Sequence, residues 1–292
     1  MGAVLTDSTF ETLVACLTAV RDEDRPKAAV LAGQAAEAGS RLGAALASHL
    51  GSATGGHVYD QPAAFTAFIR GGGNVHLYDQ LARRLAAVYD DRRPASLLDL
   101  GCGDGLALVP ALDLAAHRPS RIDLVEPSAA LLETARERVT GDGVHAEQTT
   151  AQEFLAATEA SWDLVQSTFA LQSLEPDDRL AVFGALRDRT GELVLAEFDV
   201  PDVTEGSPEH LASLAARYER GVAEYDDDLV AQGFLMPMLL GLVSPDGARN
   251  NWEQPAGDWV KQLTEAGFGD VEVTPLADYW WSPAVVIRAT TR

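Results

Sequence analysis

The stretch Leu97-Leu98-Asp99-Leu100-Gly101-Cys102-Gly103-Asp104-Gly105 decides the fold. Ser96 to Leu100 is a short apolar run with one acidic residue, and three glycines follow at alternate positions. The apolar segment Leu106 to Ala116 then resumes with helical spacing. Strand, tight glycine turn and helix is the layout in which backbone meets a nucleotide-like ligand closely. Glycine suits it because it accepts positive φ and has no Cβ to block the approach. An ordinary strand-to-helix turn would share these features, so the residues that follow must decide.

Arg121-Ile122-Asp123-Leu124-Val125-Glu126 is a second apolar strand ending in a carboxylate, and Ser128 is the expected cap of a helix to Val139 with Leu131, Leu132 and Ala135 inward. Glu126 lies about 20 positions beyond the glycines, where parallel folds place the carboxylate that accepts ribose hydroxyls. Val144–Gln148, Ser161–Ser167 and Glu192–Val200 are the expected third, fourth and fifth strands, with a helix over Pro176–Asp188. Strands alternating with helices give an α/β fold with a doubly wound, mostly parallel sheet and one ligand edge at the strand C-termini. Connections in such folds run to roughly 2–6 residues, yet a long excursion separates Asp199 from the helix at Gly257–Phe268. Its helical pattern (His210, Leu211, Leu214, Tyr218, Val222) and apolar run Phe234–Val243 read as a folded lid. Strands at Val271–Thr274 and Ala284–Ala289 close the sheet at seven.

Towards the N-terminus, a helix over Leu77–Asp90 precedes the glycine strand. Before it stand Pro62, Phe65, Phe68, Ile69 and the run Arg70-Gly71-Gly72-Gly73-Asn74. Pro62 suits a helix start and the glycine triplet a helix end with close backbone approach. Two packed helices and a linker compete with a ligand contact there. Leu5 to about Leu50 reads as helices, with Thr6, Asp7 or Ser8 as N-cap, and Gly51–Gly56 as a mobile joint. The expected organisation is a helical cap over 1–90, a cofactor core over 91–200, a helical lid over 201–256, and a helix and antiparallel hairpin over 257–292.

The chain of 292 residues is 47% hydrophobic and carries 22 Lys+Arg against 44 Asp+Glu, a formal charge of −22. That surface repels phosphate backbones and anionic lipid, which excludes nucleic acid and membrane as partners and leaves a small molecule. Two cysteines, Cys16 and Cys102, indicate neither a disulfide framework nor a zinc knuckle. With no signal-peptide pattern and no bilayer-spanning run, a cytoplasmic protein is expected. The apolar N-terminal helices could cap the domain or form a homodimer face.

With these pieces in place, residues from about Ala95 to Arg292 resemble the class I S-adenosylmethionine-dependent methyltransferases, which have a Rossmann-like fold. Leu98-Asp99-Leu100-Gly101-Cys102-Gly103-Asp104-Gly105 is similar to the family's first motif, Glu126 to its ribose-binding carboxylate, and Asp163-Leu164-Val165-Gln166-Ser167 to its fourth-strand motif. Dinucleotide dehydrogenases fit less well, because the stretch lacks their third glycine. The resemblance implies that Asp99, Gly101 and Gly103 hold the methionine portion and its ammonium, and that Glu126 takes the ribose. For adenine two registers stand open, Thr150 with Ala151, or Gln152 with Phe154. Ser167 and Phe169 would border the methyl group. S-adenosylhomocysteine is the implied product. Gly71-Gly72-Gly73-Asn74, Tyr59 and Tyr279-Trp280-Trp281 resemble features of actinobacterial natural-product methyltransferases, some of which methylate carbon. That second resemblance adds Tyr59, Gly73 and Asn74 to the cofactor set. Relatives acting on α-keto acids bind a metal through histidines. Here His210 is the only histidine after His145, so no metal is expected.

Methyl transfer is an in-line displacement at a positive sulfur, so the protein chiefly supplies alignment and exclusion of water. Many relatives carry a histidine after the fourth strand, where this chain reads Ala170-Leu171-Gln172-Ser173-Leu174. A general base is therefore sought in Glu197, Asp199, Tyr279 or Glu253. Phe169, Gln172, Trp252, Glu253, Tyr279 and Trp281 are the acceptor-binding candidates. Alternation along Tyr279-Trp280-Trp281 means that not all three face one pocket. Aromatic residues at that edge point to a small aromatic or amino-acid-derived acceptor. Transfer to an electron-rich carbon such as an indole position leads, with N- or O-transfer close behind. A cyclase or rearrangement enzyme on the same fold, and a non-catalytic cofactor-binding protein, stay open.

Overall fold

The computed structural model describes residues 5–52, 62–225, 228–244 and 251–291. Tyr59 and residues 53–56 of the expected joint lie outside them. The chain divides into two compact units. One comprises residues 1–75, 201–249 and 279–282, and the other residues 76–200, 250–278 and 283–292.

The second unit is built on a seven-stranded sheet. Its strands are β1 (Ser96–Leu100), β2 (Arg121–Val125), β3 (Val144–Glu147), β4 (Trp162–Thr168), β5 (Thr190–Phe198), β6 (Val271–Ala277) and β7 (Ala284–Thr290). Their order is β3-β2-β1-β4-β5-β7-β6. All neighbouring pairs are parallel except those made by β7, which runs antiparallel to both β5 and β6. The order reverses at β1, leaving β1 and β4 as neighbours where a doubly wound sheet opens its crevice. This is the expected Rossmann-like methyltransferase architecture.

Side-chain alternation explains the two layers. Leu97 on β1 and Leu164 on β4 face one cluster, with Leu81, Leu85 and Tyr89 of the helix Gly72–Arg92. Leu98, Leu100 and Val165 face the other, with Phe183 of the helix Pro176–Arg187 and Trp259 of the helix Ala256–Glu265. Strands buried on both faces need apolar residues at successive positions, which is why β1 carries Leu97-Leu98 and β5 the run Leu193-Val194-Leu195-Ala196. Each fully buried Leu or Val stabilises this core by about 1.5–3 kcal/mol.

One local expectation is corrected and another is extended. Ser128 precedes the helix Ala129–Arg138, but its side chain makes no capping bond. Its backbone N–H is instead held by Glu126 Oε1 at 2.9 Å. The glycine triplet stands at a helix end as expected, with the Gly71 N–H bonding the Phe68 carbonyl at 3.2 Å, and it also starts a helix. The helix Pro62–Ile69 stops before it, and Gly72 opens the next one at φ 49°.

In the first unit the helices Asp7–Arg21, Arg25–Glu37 and Arg41–Gly51 start at side-chain caps on Thr6, Asp24 and Ser40. Thr6 is thus the cap among the three residues available. Ser40 Oγ also donates to Glu219 Oε2 at 2.7 Å, and Glu219 accepts the N–H groups of Arg41 and Leu42 at 3.0 Å. A carboxylate at a helix N-terminus meets unsatisfied donors and the positive end of the dipole. The excursion after β5 is folded: helix Pro208–Glu224 is capped by Ser207, and a second helical stretch runs from Asp228 to Val243 with a π turn at Ala231–Leu235. No helix among the described residues is long and apolar enough to cross a membrane. Cys16 and Cys102 are free and buried.

Candidate functional site

The turn after β1 is made by left-handed glycines. Gly101, Gly103 and Gly105 have φ of 70°, 56° and 76°. A Cβ on Gly101 would stand 2.4 Å from the Ala170 Cβ, so the turn and the segment after β4 can touch only because no side chain intervenes. A Cβ on Gly103 would meet nothing within 4 Å, which leaves open space above that peptide. The Gly101 and Cys102 N–H groups bond to the Val125 carbonyl at 2.8 and 3.2 Å, tying the turn to the end of β2. Glu126 completes the cradle. Its two oxygens accept the N–H groups of Gly103 at 3.1 Å and Ser128 at 2.9 Å, and each keeps a second acceptor position.

Asp99 lies at the floor of this cradle, 1% exposed, and its Oδ1 has no hydrogen-bond partner. Burial pushes its pKa up to about 7, with Gln166 opposing and the Glu126 charge adding to the rise. An unpartnered buried carboxylate oxygen is costly by itself. A ligand ammonium would satisfy both its hydrogen-bonding capacity and its charge. Asp99, Gly101, Gly103 and Glu126 are thus brought together as one cradle with acceptors and open backbone.

Among the remaining cofactor candidates, Thr150, Phe154, Ser167 and Phe169 have other partners. Thr150 forms a capping box with Glu153, its hydroxyl accepting from the Glu153 N–H at 3.2 Å and bonding to Oε2 at 3.0 Å. Ala151 opens that helix, Ala151–Ala157. Gln152 Oε1 is buried without a partner, and the Phe154 ring lies 5.8 Å from that of Trp162. Ser167 is fully buried and donates to the Leu100 carbonyl at 2.8 Å. Phe169 follows β4 with φ 53°, stacked on Phe198 at 4.7 Å and edge-on to Tyr78 at 6.0 Å. A bulky residue in the left-handed region is strained, and such strain gathers at ligand edges.

A second polar group lies at the C-terminal end of β5. Glu197 is fully buried and its Oε1 has no partner. Burial raises its pKa well above the usual carboxylate range, Arg179 opposing and Glu253 adding to the rise. Gln172, with its amide turned to satisfy both neighbours, donates to Glu197 Oε2 at 3.2 Å and Glu253 Oε1 at 3.3 Å. Its carbonyl takes the Trp252 N–H at 2.7 Å. Gln172, Glu197, Trp252 and Glu253 therefore form one group, two residues beyond the Ala170 that touches the glycine turn. Arg179, which no local pattern singles out, locks it. It is fully buried, donates to the Trp252 carbonyl at 3.1 Å and Gln254 Oε1 at 3.2 Å, and lies 4.2 Å over the Trp259 ring. Asp199, by contrast, accepts the Ala256 N–H at 2.7 Å and serves the start of the last helix.

Gly73, Asn74, Tyr279 and Trp281 are placed in the first unit. Asn74 is buried, donates to the Tyr225 hydroxyl at 2.8 Å and the Phe68 carbonyl at 3.0 Å, and accepts from the Tyr279 hydroxyl at 3.1 Å. Burial raises the Tyr279 pKa, which leaves a neutral phenol. A Cβ on Gly73 would fall 2.4 Å from Glu224 Oε2 and 3.2 Å from the Tyr279 ring. Tyr279, Trp280 and Trp281 are all buried, and Arg217 lies 3.9 Å over the Trp281 ring. The expected alternation fails because residues 279–282 form no strand. His210 accepts the Gly206 N–H at 3.1 Å. A cavity of about 500 Å³ opens at the start of β5, lined by Arg187, Thr190 and Phe268, at the strand end opposite Glu197.

Against known proteins, residues 97–190 match the family described as a methyltransferase domain. No curated protein matches the chain. Among solved structures, magnesium protoporphyrin IX methyltransferase from Synechocystis PCC 6803 with bound SAH is 14% identical, with a TM-score of 0.51 over 80% of this chain and 97% of that one. A protein from Nostoc punctiforme PCC 73102, provisionally assigned as an O-methyltransferase, is 16% identical, with a TM-score of 0.53 over 97% of this chain and 72% of the other. The pyocyanin biosynthetic protein PhzM is 17% identical, with a TM-score of 0.54 over 82% and 63%. At these identities the likeness is one of fold. Residues 97–190, which match the description of a methyltransferase domain, hold both the turn after β1 and the carboxylate after β2, and the sheet around them has the class I methyltransferase fold.

Proposed function

We propose that the protein transfers a methyl group from S-adenosylmethionine to a small aromatic or amino-acid-derived acceptor, releasing S-adenosylhomocysteine. The observation that carries the donor assignment is the unpartnered, buried Asp99 Oδ1 beneath an open Gly103 peptide, next to a Glu126 with acceptor positions to spare. Asp99 would take the ammonium of the donor, the Gly101–Gly103 backbone its methionine portion, and Glu126 its ribose diol. The donor, when bound, supplies the activated methyl group. The chain's own residues hold it in line and keep water out.

The acceptor is assigned to the edge formed by Phe169, Gln172, Glu197, Trp252 and Glu253. The rings at 169 and 252 support a flat acceptor, and the carboxylate pair bridged by Gln172 supports a polar or amine-bearing one. Transfer to an electron-rich carbon, with indole as the leading case, is the preferred chemistry. It needs no base before attack, because the ring proton is lost only after the new carbon–methyl bond has formed. O-transfer is the second reading, favoured by the fold likeness to a provisionally assigned O-methyltransferase. The free thiols of Cys16 and Cys102 support a reducing, cytoplasmic setting.

The test is calorimetric titration with S-adenosylhomocysteine, followed by incubation with S-adenosylmethionine and a panel of indoles, aromatic amino acids, phenols and amines. Mass spectrometry should find a product with one added methyl group, located on carbon by fragmentation. Absence of product binding would refute the donor assignment. A methylated oxygen or nitrogen would refute the carbon assignment alone.

A further inference from the structure

Asp99 is not placed by its own strand alone. In the β1–β4 ladder it stands directly opposite Gln166. Parallel neighbours in register point to the same face, so the Gln166 amide and the Asp99 carboxyl share the layer that the helix Gly72–Arg92 covers. From that helix the Tyr89 hydroxyl donates to Gln166 Oε1 at 2.5 Å. Tyr89 and Gln166 are fully buried. With its oxygen held by the tyrosine, Gln166 turns its NH₂ away from the helix, and Nε2 has no partner of its own. Polar groups this deep are almost always paired, so a glutamine holding one hydrogen bond and leaving two N–H donors beside a carboxylate calls for an explanation.

We infer that Tyr89 and Gln166 are positioning residues for Asp99: the tyrosine hydroxyl fixes the amide so that its NH₂ stands beside the carboxylate and favours its charged form, ready for the ammonium of the methyl donor. The inference rests on the donor assignment above. The charged and titratable groups around Asp99 give it a consequence that can be measured. Glu126 from the end of β2 opposes ionisation of Asp99, as burial does, whereas the Gln166 amide favours it. The Tyr89 phenol and the Cys102 thiol from the glycine turn also face Asp99. Burial raises both of their pKa values and Asp99 adds to each rise, so both stay neutral around pH 7. The amide is thus the group that pulls the carboxyl towards its charged form against two that push it away. It can do so only while Tyr89 holds its oxygen.

The test is S-adenosylhomocysteine affinity as a function of pH for the full chain and for Tyr89→Phe, Gln166→Met and Asp99→Asn. In the unaltered protein, affinity should fall as pH drops below about 7, because the ligand then has to displace the Asp99 proton. Tyr89→Phe and Gln166→Met should move that midpoint to higher pH. At neutral pH binding should be weakened several-fold to tenfold, and at high pH it should return towards the unaltered value. A purely structural loss would weaken binding equally at every pH, and an unmoved midpoint in both variants would overturn the inference. Tyr89→Phe removes one oxygen and keeps the ring, so it answers the question even where Gln166→Met folds poorly. Asp99→Asn separates the two readings. If it removes the pH dependence while the Tyr89 and Gln166 variants leave the midpoint unmoved, the donor assignment stands and only the positioning role fails. If it binds as tightly as the unaltered protein with the same profile, both fail.

Discussion

Asp99→Asn is expected to make the ligand-free protein more stable while weakening its hold on the donor. In the folded chain the Asp99 carboxyl titrates near 7 because it is buried, with the Glu126 charge adding to the rise. In the unfolded chain it returns to about 3.8. Between these values the unfolded state releases a proton that the folded state keeps, so stability falls as pH rises, by about 1.4 kcal/mol per pH unit. Over roughly three units this one group removes about 4 kcal/mol by the time pH passes 7, and none below pH 4. Asparagine does not titrate. The stability difference, variant minus unaltered protein, should therefore be flat below pH 4, climb through the window, and level off above pH 7 in favour of asparagine. Glu197, whose pKa burial also raises, titrates in both proteins and cancels in the difference. Urea unfolding of the ligand-free pair across this range measures the quantity directly. A difference that does not change with pH, or an asparagine variant that is the less stable at neutral pH, would refute the reasoning. Buried charges kept at a stability cost are common at sites that must bind an opposite charge.

Glu126→Ala should weaken S-adenosylhomocysteine binding by at least a hundredfold, since two charge-assisted bonds to the ribose are worth about 1.5–3 kcal/mol each. Glu126→Gln keeps one acceptor but turns an amide NH₂ towards the Gly103 or Ser128 N–H, and should show a smaller loss in the same calorimetric titration. Arg179→Met should lower acceptor turnover far more than donor affinity, because Arg179 ties down the Trp252 carbonyl and Gln254 and touches nothing in the glycine cradle. Equal losses in donor affinity and acceptor KM would argue against that division.

How much of this was legible in the sequence follows from how far apart the cooperating residues lie. The donor cradle comes from one continuous turn and the end of the next strand. The alternate glycines, the carboxylate at Asp99 and the spacing to Glu126 all follow from local strand and turn geometry, so pattern alone was enough to bring them to one turn. Pattern also gave the seven strands and the helical excursion after β5. It failed where a residue's role depends on a remote partner. Ser128 reads as a helix cap by composition, but Glu126 holds its N–H and its side chain is not the cap. Arg179 sits in Pro176-Asp177-Asp178-Arg179, which reads as a solvated helix start, yet the Trp252–Gln254 segment seals it from water. Tyr279-Trp280-Trp281 invites a strand's alternation, but the segment is an irregular link whose rings all pack inward. The glycine triplet reads as a ligand approach, and in the structure Gly72 and Gly73 give room to the Tyr225 and Tyr279 rings. The same contrast explains why the donor is easier to assign than the acceptor. In the proposed donor site, the donor's charged and hydrogen-bonding parts would be met by backbone and by carboxylates at fixed sequence offsets. The proposed acceptor edge joins Phe169 and Gln172 after β4, Glu197 on β5, and Trp252 and Glu253 before the last helix, and no spacing rule connects those three segments. They meet because β4 and β5 are neighbours in the sheet and because Gln172 and Arg179 draw the segment before the last helix onto them. On the acceptor assignment proposed above, specificity is a property of tertiary packing, and substitutions that loosen the packing should change the acceptor before they change the donor.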